Sequence, residues 1–315
     1  MQTILGAGGG IGRLLAKDLR NYTSQVRLVS RKPRKISEDD EVIAADLNNR
    51  EQVSEAVRGS EVVYLLAGLL YKTKVWEEQW PRIMENAIAA CETHRAKLVF
   101  FDNVYLYDPA QLDNMTEETR IQPSSNKGRV REKIAGMLMD AVRNGRIEAM
   151  IVRAADFYGP ALQNSMLIET TYKNFKKGKK AYWLGNPSKV HSFTYVPDAS
   201  RATALLGNTA DAFNQVWHLP TDPARITGVQ MMQLFADAAG VKLRYSKFSS
   251  GIIRLLGLFN PLMKELYEMM YQFEKDYYFN SGKFFRRFPD FAFTSYERGV
   301  RQVVEMDKKK TPEGA

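Results

Sequence analysis

The residues of this 315-residue chain whose types and spacing invite chemistry begin almost at its first residue. Gly6, Gly9 and Gly12 form a G-x-x-G-x-x-G pattern, with Gly10 and Ile11 inside it. The apolar pair Ile4-Leu5 precedes the glycines, and a helical pattern over 11–16 follows them. That is a strand, a tight turn and a helix N-terminus. The first helical turn carries unpaired backbone N–H groups and a partial positive charge. Glycines there let a pyrophosphate approach the backbone. The alternative spacing G-x-G-x-x-G fails, because Ile11 and Arg13 stand where its third glycine should be. A second cluster, Val29-Ser30-Arg31-Lys32, closes the next apolar run with two cations and no carboxylate. A third pair, Lys127 and Arg131, lies one helical turn apart and shares a face.

These residues need elements to hold them. Apolar runs at 26–30, 42–45, 62–67, 97–101 and 149–153 read as strands, and the patterns at 52–58, 80–93 and 129–143 read as helices. Near-continuous apolar strands separated by helices predict a parallel sheet covered on both faces. Right-handed crossovers then give an α/β, doubly wound (Rossmann) sheet of about seven strands, with ligand at its carboxyl edge. After Pro160 the composition changes. Residues 174–183 are basic and aromatic, 193–196 and 215–219 read as short strands, and 199–206 and 227–239 read as helices, the last capped by Thr227. The segment 252–293 is rich in Phe, Tyr, Met and Leu, and Pro261 interrupts its helical stretch. The expected organisation is a dinucleotide-binding domain over 1–160, to which 190–219 returns. A smaller, interleaved substrate lobe takes 161–189 and 220–315.

Taken in order, these motifs resemble an extended or atypical short-chain dehydrogenase/reductase, the superfamily that includes sugar-nucleotide epimerases and dehydratases. The likeness covers roughly residues 1–240. It rests on the glycine loop, Ala45-Asp46-Leu47, Leu66-Ala67-Gly68, Val104-Tyr105-Leu106-Tyr107, the run from Arg153 through Ala154 to Pro160, and Phe193-Thr194-Tyr195-Val196-Pro197-Asp198. The resemblance implies a nicotinamide dinucleotide held by Gly6, Gly9, Gly10, Ile11, Gly12 and Arg13, by Asp46 and Leu47 at the adenine end, and by Ala67, Gly68, Lys127 and Ala154. NAD enzymes carry an acidic residue after the second strand to bind the ribose 2′-hydroxyl. Here Arg31 and Lys32 stand there, and a guanidinium matches a phosphate, so NADP is favoured over NAD.

The catalytic positions depart from the family. Active members use Ser/Thr after the fifth strand and Tyr-x-x-x-Lys on the next helix. The matching positions here are Asn103, Lys127 and Arg131. One reading keeps the chemistry in altered form. A guanidinium beside Lys127 would favour its neutral amine as an acid or base, Asn103 would polarise a carbonyl, and Tyr107 or Tyr158 would supply a phenol. The protein is then an oxidoreductase or epimerase-like enzyme acting on a small carbonyl or hydroxyl substrate. A second reading is an NADP-binding sensor without turnover. A third, and weakest, is an RNA-binding relative, since the chain carries a net charge of +9.

Substrate contacts are expected from Asp156, Tyr158, Asn164, Ser165 and His191. Sugar-nucleotide members need a phosphate-binding arginine where His191 stands. Trp183, Phe193 and 252–293 suggest a more apolar pocket, or else core. Three histidines and the single Cys91 argue against a zinc site and an internal disulfide, and fit a cytoplasmic protein. No apolar run reaches the roughly 18 residues of a membrane span. No cleavable signal is expected before a strand that starts almost at Met1. A small-molecule partner and a monomer or homodimer complete the expectation.

Overall fold

The apolar runs of the first half become strands, and the glycine-closed turns between them set their direction. The computed structural model describes residues 1–160, 162 and 165–310. In chain order it forms β1 (Gln2–Leu5), α1 (Gly10–Leu19), β2 (Val26–Ser30), β3 (Glu41–Ala44), α2 (Arg50–Val57), β4 (Val62–Leu65), α3 (Thr73–His94) and β5 (Lys97–Asp102). There follow α4 (Asn126–Arg143), β6 (Ala149–Arg153), β7 (Asp156–Tyr158), α5 (Lys173–Lys176), β8 (Ala181–Leu184), β9 (Phe193–Tyr195), α6 (Val196–Gly207) and β10 (Val216–His218). The last third holds α7 (Gly228–Ala239), β11 (Tyr245–Phe248), α8 (Ser250–Leu256), α9 (Pro261–Tyr267), α10 (Tyr271–Glu274), α11 (Gly282–Arg287) and α12 (Tyr296–Lys310).

The chain divides into two compact units. The first comprises Met1–Leu106, Pro123–Ala154 and Ala199–Leu219; the second comprises Tyr107–Gln122, Ala155–Asp198 and Pro220–Ala315. In the first, seven strands pair in the order β10-β6-β5-β4-β1-β2-β3, and every pairing is parallel. The strand order reverses beside β1, which places the glycine loop at the switch point of a doubly wound sheet. Ile4, Leu5, Val63, Leu65, Val99, Phe100 and Ile151 are fully buried, as strands covered on both faces require. β3, at the edge, is largely exposed.

In the second unit, β8 pairs with β11 and β7 with β9, each in a separate parallel pair. Tyr158, Trp183, Phe193, Tyr195, Phe235 and Tyr296 share its main core. Trp183 and Phe193 are therefore core residues. Thr227 caps α7 reciprocally with Gln230.

Several expected boundaries move. The run 193–196 does not join the seven-stranded sheet; β9 pairs with β7, so both fall in the second unit. The boundaries read at 160 and 190 accordingly lie at Ala154 and Asp198. Tyr107–Gln122 groups with the second unit as well, because Tyr107 bridges to Ile121 and Met115 to Phe279. The helix expected at 80–93 starts two turns earlier, at Thr73, and carries Pro81 inside it. Starting it at Trp80 would have put proline in the first turn, where its missing N–H is harmless. Pro261 opens α9 and Asn260 caps it, so 252–273 is not one helix. Leu258 and Phe259 at the bend between α8 and α9 are exposed. Among the described residues no helix is long and apolar enough to cross a membrane.

Candidate functional site

The glycine loop is closed on one side and open on the other. Gly6 has φ +92°, and a Cβ there would lie 2.8 Å from the Ala67 backbone. A Cβ on Gly12 would come within 2.9 Å of Ala7 Cα. Only glycine allows both approaches. Gly9, by contrast, has nothing within 4 Å of its missing side chain. It precedes α1 without a side-chain cap, and the first turn of α1 holds no acidic residue. The first-turn amides and the helix dipole are thus available to an anion.

Beside this loop lies a pocket lined by Ala7, Gly8, Arg13, Ser30, Lys32, Pro33, Arg34 and Ile36. It presents three cations and no carboxylate. The Ser30 Oγ is buried and has no hydrogen-bond partner among the described residues. Arg31 does not line the pocket, contrary to expectation; its charge acts on Asp46 instead. Arg34, from the same basic run, lines it instead. That run was visible in the sequence, but which of its members line the pocket was not. Asp40 fixes the far end of this segment. Its buried carboxylate accepts from Ile36 N and Ser37 N, each at 2.8 Å, and pairs with Arg20. Burial pushes that carboxyl up, but these donors outweigh it and hold it below the usual range.

Asp46 is exposed and closes a turn, accepting from Asn48 N at 3.0 Å and Asn48 Nδ2 at 3.1 Å. Those bonds lower its carboxyl; slight burial opposes them, and Arg31 and Arg82 reinforce them. The Leu47 carbonyl accepts from Asn86 Nδ2 at 2.9 Å. Ala67 and Gly68 follow β4 at the same edge, and Gly68 faces open space. Ala154 ends the first unit's run after β6. It is buried, and its N–H donates to the Asp102 carbonyl at 3.3 Å.

The first turn of α4 forms the second part of the site. Ser125 caps it through Gly128 N. A Cβ on Gly128 would lie 2.4 Å from the Tyr105 carbonyl oxygen, so the helix rests directly on the strand-end backbone. Lys127 has no exposed surface. Its Nζ donates to Thr73 Oγ1 at 3.1 Å and stands 4.5 Å from the centre of the Tyr71 ring. Asn103 Oδ1 accepts from Tyr105 N at 3.1 Å, which shapes the turn after β5.

Arg131 points into the core. Its guanidinium lies over Trp80 at 4.1 Å and Trp76 at 4.6 Å, and Nη1 is 3.4 Å from Asp102 Oδ1. Asp102 Oδ2 is 3.5 Å from Arg153 Nε. Burial pushes Arg131 below the ordinary range of a guanidinium, and Asp102 and Tyr105 oppose the shift. Its charge is therefore engaged by Asp102 and the two indoles. That corrects the expectation of an arginine facing ligand.

Neither expected phenol is available. Tyr107 is buried at the bridge to Ile121. Tyr158 is fully buried against Tyr195 and Tyr296, and burial pushes its hydroxyl well above the ordinary range. Tyr71, Thr73 and Trp76 are the residues the sequence reading missed. Their signal is the aromatic run Tyr71…Trp76…Trp80, hidden by the late helix start.

The remaining expected substrate residues lie in the second unit. His191 is buried, its ring stacked against Tyr277 at 4.4 Å and Phe273 at 4.8 Å, with Nε2 2.9 Å from Asp156 Oδ2. Asp156 is partly exposed. Ser165 is buried and its hydroxyl donates to the Phe157 carbonyl at 2.7 Å, so it acts as a turn residue. Asn164 lies outside the described residues. No cluster of three or more metal-ligating side chains occurs among the described residues.

Comparison with known proteins follows this geometry. A model of the NAD dependent epimerase/dehydratase family matches residues 3–218. No curated protein sequence matches significantly. Among solved structures, a dTDP-glucose 4,6-dehydratase (DesIV) double mutant from Streptomyces venezuelae with NAD and DAU bound aligns with TM-score 0.81 at 14% identity, over 98% of this chain and 97% of that one. A UDP-glucuronic acid 4-epimerase from Bacillus cereus in complex with NAD gives TM-score 0.80 at 15% identity, over 98% and 99%. A UDP-glucose 4-epimerase from Thermus thermophilus complexed with NAD gives 0.78 at 16%, over 99% and 100%. At these identities the likeness speaks for the fold.

Proposed function

The chain belongs to the NAD dependent epimerase/dehydratase family, and we propose that it is an NADP-binding oxidoreductase or epimerase-like enzyme acting on a small carbonyl or hydroxyl substrate through a non-standard site. The observation that carries the cofactor assignment is the pocket of Arg13, Ser30, Lys32 and Arg34 beside the glycine loop. An NAD enzyme places a carboxylate there for the ribose 2′-hydroxyl. The solved relatives carry NAD; three cations and an orphaned buried hydroxyl suit a 2′-phosphate instead.

The residues present fit the cofactor. Gly9 and the first-turn amides of α1 would hold the pyrophosphate, Arg13, Lys32 and Arg34 the 2′-phosphate, and Asp46 the adenine end. When bound, the group supplies a hydride donor or acceptor. At the other end of the site, Lys127 takes the position of the family's proton donor. With no exposed surface of its own, it acts through the Thr73 hydroxyl and the Tyr71 ring beside it. Asn103 stands at the carboxyl end of β5, where a side-chain amide can donate to a ligand oxygen.

Calorimetry of NADPH and NADH, followed by NADPH oxidation across aldehydes, ketones and nucleotide sugars, tests the proposal. Tighter NADPH binding with turnover supports it. A second reading, NADP binding without turnover, is favoured by the burial of Lys127, Tyr107 and Tyr158. Tight NADPH binding with no oxidation across the panel would select it.

A further inference from the structure

A buried ammonium beside a partly exposed phenol is an acid–base pair in waiting, and the first unit contains one. Lys127 Nζ stands 4.5 Å from the Tyr71 ring centre and donates to Thr73 Oγ1 at 3.1 Å. Lys127 has no exposed surface, whereas Tyr71 and Thr73 are both partly exposed. The lysine cannot meet a ligand without rearrangement; the partly exposed groups it faces are the Tyr71 phenol ring and the Thr73 hydroxyl. Of these, only the phenol titrates in a range useful for proton transfer.

The position of Tyr71 is over-determined. Its ring meets Trp76 edge-on, with centroids 5.8 Å apart and planes at 85°. Trp76 stacks on Tyr105 at 6.2 Å and 13°, and Arg131 covers it at 4.6 Å. Arg131 is held in turn by Asp102. The loop that carries Tyr71 leaves β4 at the carboxyl edge of the sheet, and its start, Leu66-Ala67, is the backbone against which Gly6 closes. Tyr71 therefore shares an edge with the glycine cradle.

We propose that Tyr71 is the proton-transferring group of this site, with Lys127 as the positioning residue that holds a positive charge beside the phenol. The inference rests on the oxidoreductase reading above and names its acid. In the reducing direction a bound nicotinamide would supply the hydride for a carbonyl carbon and be left oxidised. The Tyr71 O–H bond breaks, its proton goes to the carbonyl oxygen, and an alcohol and a phenolate result. Water reprotonates the phenolate through the exposed part of the ring. The reverse direction uses the phenolate as base.

The test reads the phenol directly. Tyrosine labelled at Cζ is titrated by carbon NMR in wild type, Tyr71→Phe, Tyr105→Phe and Lys127→Met. One resonance of the wild type should titrate about 1–3 pH units below the ordinary value near 10, as a cation at this range produces. It should vanish in Tyr71→Phe, persist in Tyr105→Phe and move back up in Lys127→Met. Lys127→Gln provides the same neutralisation if the methionine variant does not fold. On any substrate found, Tyr71→Phe should lower kcat about 10²-fold or more, leave KM and NADPH affinity little changed, and abolish the basic limb of the pH profile. A Tyr71 resonance that titrates identically with and without the Lys127 charge overturns the proposal, and so does full turnover in Tyr71→Phe. Failure of the wild type to bind NADPH would instead sink the cofactor reading, which the titration does not depend on.

Discussion

Replacing Arg34 with alanine should shift cofactor preference more than replacing Arg31. Arg34 lines the pocket with Arg13, Ser30 and Lys32, while Arg31 lies outside it and acts on Asp46. A unit charge pair at about 4 Å is worth roughly 1 kcal/mol in water and about 4 kcal/mol at the effective dielectric of a protein surface. Arg34 is exposed and screened by salt, so the lower part of that range applies. Counting one charge-assisted hydrogen bond, the loss is about 1.4 kcal/mol, or tenfold in Kd. NADPH should therefore bind Arg34→Ala about tenfold more weakly than wild type, with NADH affinity nearly unchanged, since NADH lacks the 2′-phosphate. Arg31→Ala should change NADPH affinity by less than about threefold. The three cations share one phosphate, so their effects will not add. Titration calorimetry at about 0.05 M and 0.5 M salt separates the electrostatic part, because only the NADPH isotherm should weaken steeply. Equal wild-type affinities for NADPH and NADH would refute the reasoning. An Arg34→Ala variant that weakens both cofactors alike would show that the arginine acts on loop structure rather than on phosphate.

The other expectations can be checked with the same protein. Lys127→Met should reduce turnover about 10²-fold or more while NADPH affinity holds, as rapid-quench kinetics and calorimetry will report; unchanged turnover removes Lys127 from the chemistry. Gly128→Ala should cost about 1–3 kcal/mol in urea unfolding, since its Cβ would sit 2.4 Å from the Tyr105 carbonyl oxygen; a neutral result would mean that α4 slides freely on that backbone. Asp40 has a folded-state carboxyl below its unfolded value, so its contribution is present above about pH 4 and fades as pH falls through the folded value. Asp40→Asn should flatten the acid limb of the stability curve and, by releasing Ile36 and Ser37, weaken NADPH binding.

The sheet was legible because burial on both faces leaves almost no freedom in residue type. β1, β4, β5 and β6 are short apolar runs bounded by turns, and each lies within two residues of where the pattern puts it. What the pattern could not carry was partner choice for three-residue strands. β9 is apolar enough for the central sheet, yet it pairs with β7, and nothing local to Phe193–Tyr195 distinguishes the two outcomes. The cradle was legible for the same kind of reason as the sheet. Gly6 and Gly12 are glycines because backbone approaches within 3 Å. That Arg34 rather than Arg31 lines the pocket is a tertiary matter that one-dimensional spacing does not record.

If 127 and 131 are the positions of the family's Tyr-x-x-x-Lys pair, they read as losses when only the α4 sequence is considered, and as a set once α3 is placed. A planar guanidinium can lie on two indole faces while reaching Asp102, and a lysine ammonium in its place would forfeit the stacking. Arg131 thus goes with Trp76 and Trp80, which lie one helical turn apart on α3. Lys127 goes with Tyr71 and Thr73, which immediately precede and open the same helix. Two cations on one helix therefore match an aromatic and hydroxyl-bearing start on another. A site that had merely decayed would keep the cradle and scatter its other positions. Here the changed residues contact one another through an ordered chain from Asp102 to Arg131, Trp76 and Tyr71, with Lys127 over the last ring. Each link in that chain fixes the next, and the link that is partly exposed is Tyr71.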